Sequence, residues 1–96
     1  MDYATQISKA REQIAVLDGS LNSQRTPYLK AKLHFAMHSL DDAELAVRHA
    51  ESNPDQAAMW HSLAELSIRQ ATEIGDAVHD TVGKYGGPES LVEVGG

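Results

Sequence analysis

The chain contains no cysteine, which excludes a disulfide framework and thiolate chemistry. It has no run of about 18 apolar residues, so no segment is expected to span a membrane. The opening Met1-Asp2-Tyr3-Ala4-Thr5-Gln6 lacks the basic and apolar regions of a signal peptide, and a cytoplasmic protein is the default expectation. Cations are scarce: 8 Lys and Arg stand against 14 Asp and Glu, a formal net charge of −6. That balance argues against nucleic-acid or anionic-membrane partners, both of which need clustered positive charge. Aromatic residues are limited to Tyr3, Tyr28, Phe35, Trp60 and Tyr85. A core must therefore be aliphatic and rich in alanine, and small side chains bury little apolar area each. With 96 residues the chain is one small domain, in a size range where a single core is barely sufficient.

What the chain does have is period. Tyr3, Ile7, Ala10, Ile14, Leu17 and Leu21 recur at spacings of 4, 3, 4, 3 and 4, an apolar stripe along one face of a helix. That first helix is expected from about Asp2, a suitable N-cap, to Leu17. Asp18-Gly19-Ser20 supplies its stop, with Gly19 free to adopt positive φ. Residues Asn22-Ser23-Gln24-Arg25 are polar and form a loop.

Thr26-Pro27 opens a second helix, since proline at the first helical position loses no hydrogen bond. Its stripe is Leu29, Leu33, Ala36, Leu40, Ala43, Val47 and Ala50, and the helix should end near Glu51. Ser52-Asn53-Pro54 makes a tight link, with Pro54 opening a third helix and Asp55 in its first turn. The third stripe is Ala57, Trp60, Ala64, Ser67, Ala71, Ile74, Val78 and Thr81, widened by Leu63, Ile68 and Val82. Gly86-Gly87-Pro88 forbids continuation past Lys84-Tyr85.

These stripes predict an all-α fold, a small up-down-up three-helix bundle. Two long antiparallel helices combine with a shorter N-terminal one over residues 1–85, followed by a flexible Gly-containing tail over 86–96. Alanines 36, 43, 50, 57, 64 and 71 let the second and third helices approach closely. The competing arrangement is a helical hairpin that dimerises with the first helix packed across.

Candidate chemistry is sparse. Five histidines raise a metal site, and His34 and His38 share one helical face at the i,i+4 spacing of a chelating pair. Asp41 and Asp42 continue that face, but His34 and Asp42 are roughly 12 Å apart along the axis, too far for one ion. The alternative is a pair of solvent-exposed histidines. No Ser/His/Asp grouping, nucleophile elbow or glycine-rich phosphate loop is present, and neither an enzyme nor a cofactor is expected. The tail segment Tyr85-Gly86-Gly87-Pro88-Glu89 has the Tyr-x-x-x-Glu spacing found after secreted WXG-type hairpins. The Trp-x-Gly turn of those proteins is missing here, so the chain does not carry that family's pattern.

A second stripe on the second helix is more informative. Tyr28, Ala31, Phe35, His38, Leu45 and His49 fall away from the main seam, as Met59 and Leu66 do on the third helix. The second helix is thus apolar on two sides. Either it lies centrally in the bundle, or these eight residues meet a partner, itself a second copy or another protein. A non-enzymatic interaction or assembly module, self-associating through the second and third helices, is the leading expectation. A ligand-binding bundle using His34 and His38 is one alternative. An acidic decoy of a nucleic-acid-binding protein, built on Asp41, Asp42, Glu44, Glu51 and Asp55, is the other. Trp60 is expected in the core near the hairpin turn, its indole N–H finding a polar partner.

Overall fold

The computed structural model describes residues 2–21 and 26–84. Three helices form within them: α1 (Tyr3–Ser20), α2 (Pro27–Ser52) and α3 (Ala57–Lys84). The expected loop at Asn22–Arg25, Tyr85 and the tail lie outside the described residues.

Asp2 caps α1 by accepting from the Thr5 amide at 3.1 Å and from the Thr5 hydroxyl. Those bonds, the hydroxyl's foremost, hold its carboxyl below the usual range. The helix does not stop at Leu17 but runs through Gly19 to Ser20, and the turn to extended backbone comes at Leu21, with φ −92° and ψ 142°. The reason is burial. Leu21 is the next member of the apolar stripe and is buried, so carrying the helix on one more turn places it in the core. The glycine is simply helical. Closure comes instead from α2, whose Lys30 Nζ donates to the Asp18 carbonyl at 2.9 Å, with Asp18 Oδ1 at 3.2 Å. A cation on the last carbonyls is the favourable arrangement at a helix C-terminus.

Thr26 is buried, and its carbonyl accepts the Lys30 amide at 3.0 Å, the first bond of α2. At the other end Asn53 donates to the His49 carbonyl twice, through its amide at 2.9 Å and Nδ2 at 3.0 Å. Pro54–Gln56 is a 3₁₀ turn running directly into α3, so the hairpin turns within a few residues.

The topology is up-down-up. Tyr3 meets His61 and Glu65 of α3, Arg11 meets Asp41 and Glu44 of α2, and Asp18 meets Lys30. Along α1 the partners on α2 thus run backwards: α1 is antiparallel to α2 and parallel to α3. The α2–α3 hairpin is the most extensive interface. Its alanine seam is as the spacing requires, with Ala36, Ala43, Ala64 and Ala71 wholly buried. Leu33, Leu40, Ile14 and Val78 supply the bulk.

On α3 the buried line differs from the expected one. It runs through Ala64, Ile68, Ala71, Gly75 and Val78, while Trp60, Ser67, Ile74 and Thr81 are half-buried and Leu63 is exposed. The cause is that α3 serves two neighbours. α1 packs on the flank of Gly75, where a Cβ would stand 3.7 Å from Ile14 Cγ1, and this turns the core-facing side toward α1 and away from Leu63. Among the described residues no helix is long and apolar enough to cross a membrane.

Candidate functional site

At 100° per residue, the α3 residues that touch α1 (His61, Glu65 and Gly75) mark one flank of the hairpin. Met59, Leu63 and Leu66 project from the opposite flank, at 50%, 44% and 57% exposure. On α2 the same side carries Tyr28 and Phe35, both more than half exposed, while Leu45, about 80° round the helix from Phe35 and about 40° from Asp41, is exposed at the outer edge of α2. The hairpin is therefore a two-sided slab, with α1 covering one broad face and the other bare. Ala31, His38, Asp42, His49 and Ser52 are exposed as well. The eight residues singled out from the off-seam spacing all reach the surface, which answers the choice left open for α2: this stripe is not buried between neighbours. Leu63 belongs with them and was missed, because its number fits the seam as well as the flank. Only the position of α1 decides between the two.

The bare face is not uniformly apolar. His49 stacks on Trp60, ring centroids 4.7 Å apart. The Trp60 Nε1, expected to find a polar partner, is out of water and has none among the described residues. Lys32 lies over the Tyr28 ring, 4.9 Å from its centroid.

Electrostatics are concentrated on the α1–α2 side. Arg11 forks between Glu44 at 2.6 Å and Asp41 at 2.7 Å, and Arg48 reaches Glu44 at 2.7 Å. The Arg11 hydrogen bond, with its charge, holds the Glu44 carboxyl below its ordinary value. Two of the five acidic residues near the hairpin are thus already engaged by Arg11. Across the molecule Tyr3 donates to Glu65 at 2.7 Å, and this bond raises the phenol's pKa.

The histidines do not converge. His34 Nε2 stands 3.7 Å from Asp18 Oδ1, His38 is on the outer face of α2, and His49 and His61 each pack on an aromatic ring. His34 and His38 remain a two-residue pair, and no three metal-binding side chains gather among the described residues. A shallow groove of about 610 Å³ runs between α1 and α3, over Ile14, Ala71 and Gly75, with Lys9, Asp76 and His79 on its rims.

Compared with known proteins, the chain matches no family model, no curated protein and no solved structure.

Proposed function

We propose that the protein is a non-enzymatic assembly module that associates through the bare face of the α2–α3 hairpin. The observation that supports this is the exposure of five large apolar side chains, Tyr28, Phe35, Met59, Leu63 and Leu66, on the side of the hairpin that α1 leaves open, with Leu45 exposed at the outer edge of α2. Isolated exposed apolar residues are ordinary on protein surfaces, Val16 on α1 being one. A contiguous face along two helices marks a contact surface. The alanine-rich core adds a reason for association, since a bundle this small gains from burial beyond its own chain.

Light scattering or sedimentation over a wide concentration range tests the reading. The intact chain is expected to form a particle larger than one copy. Phe35→Asp and Leu45→Asp should hold it to a single copy with helical circular dichroism unchanged, because both positions are exposed. A native chain that stays monomeric at high concentration, or association indifferent to both substitutions, overturns it.

A further inference from the structure

With no cysteine in the chain, its only sulfur is in three methionines. Met37 on α2 is half-buried and packed against the core, whereas Met59 keeps 50% of its surface. Met59 stands one turn before Leu63 and two before Leu66, at the hairpin end of the face that α1 leaves open. A thioether is apolar and belongs among leucines, yet of the five side chains on that face it is the one a hydroperoxide converts to a polar group. We propose that Met59 is a modification site, oxidised by a hydroperoxide to the sulfoxide, and that its oxidation releases the assembled form. The release rests on the assembly reading above and gives that assembly a control.

The step is a balanced oxygen transfer. A sulfur lone pair attacks one peroxide oxygen, an S–O bond forms and the O–O bond breaks. The other oxygen leaves as water, or as an alcohol from an organic hydroperoxide. The sulfur loses two electrons and the peroxide gains them. Because the chain has no thiolate, no stronger sulfur nucleophile takes the oxidant first. The product carries an acceptor oxygen on what was an apolar side chain. In water that oxygen is hydrated. Covered by a contact, it lies beside Leu63 and Leu66, which have no hydrogen to donate, and a covered acceptor without a donor is costly. Oxidation and covering therefore oppose each other. The sulfur reacts while its face is open, and once oxidised it disfavours closure. Met37 is shielded by the fold instead, packed against the core of its own chain.

Peroxide treatment of the intact chain, stopped at about half conversion of Met59, tests the assignment. Single copies and assembled particles are separated by size, and the added oxygen is located in each by peptide mass. Met59 sulfoxide is expected to be at least about fivefold enriched among single copies, and fully converted chain to associate about tenfold more weakly. A methionine sulfoxide reductase, which spends a dithiol to remove the oxygen as water, should restore the larger particle. Met59→Leu, compared with itself before and after peroxide, should not change in size. A Met59 that resists peroxide, particles that hold their size with Met59 oxidised, a loss that the reductase does not reverse, or a Met59→Leu chain that peroxide dissociates each overturn the site and leave the assembly reading standing. A native chain that never assembles overturns both.

Discussion

Leu33 and Phe35 are two residues apart on α2, yet Leu33 has no exposed surface and Phe35 keeps 55% of its own. The inner side of this helix is leucine and alanine, apart from the buried Ser39 and the half-buried Val47. The outer one sets Phe35 and Leu45 between His38, Asp42 and His49. An interior seam sealed by α1 and α3 has no place for imidazoles and carboxylates without partners. An exposed face does. The contrast teaches that helical period alone does not separate a buried seam from an exposed stripe, whereas the polarity of the intervening residues does.

The sharpest way to break that contrast is to truncate both leucine and phenylalanine. Leu33→Ala should cost about 3 kcal/mol and lower the melting temperature by roughly 15 °C. In dilute solution, below the range of association, Phe35→Ala should change stability by no more than about 0.5 kcal/mol. Thermal or urea unfolding of the two side by side checks this, and equal losses would mean the outer stripe is buried after all.

A smaller effect comes from the glycine where α1 approaches α3. Gly75 is helical and buried, but an added Cβ meets Ile14 at an ordinary 3.7 Å. Gly75→Ala should therefore stabilise by about 1 kcal/mol through helix propensity. A loss on urea unfolding would show that α1 and α3 need a closer approach than the structure has.

Smallest is the ionic side of the slab. Glu44 has its carboxyl held below its ordinary value of 4.5 by Arg11. The group thus binds fewer protons folded than unfolded near that value. Its contribution is present above the unfolded pKa and is lost as pH falls through the lower folded one. Melting temperatures of the native chain and of Arg11→Gln should differ by a few degrees near neutrality and converge in acid, and a gap that persists there would contradict the pairing.

Much of this architecture could be read in advance because heptad spacing is a direct consequence of helical geometry. The stripes of α1 and α2, the proline start at Pro27 and the short hairpin follow from local rules, although Pro54 opens a 3₁₀ turn and α3 itself begins at Ala57. Gly19 shows where local rules yield: its freedom to stop a helix is outweighed by the burial of Leu21 two residues on, one turn past Leu17. Leu63 and Gly75 show a second limit. Which of two adjacent α3 flanks is buried depends on where a third helix lands, and no spacing within α3 encodes that. The candidate face was legible as off-seam residues. That Tyr28 and Phe35 share a side of the hairpin with Met59, Leu63 and Leu66 became visible only with α1 in place.

The order in which the helices are joined has a kinetic consequence. α1 abuts α2 and α2 abuts α3, so most of the native pairings close short loops of chain and lose little entropy in doing so. Only the parallel docking of α1 on α3, where Tyr3 reaches across 62 positions to Glu65, must wait for distant segments to meet. Helical bundles dominated by such local pairings fold within about microseconds to milliseconds, which leaves the leucine and alanine seam little time in water before it is sealed.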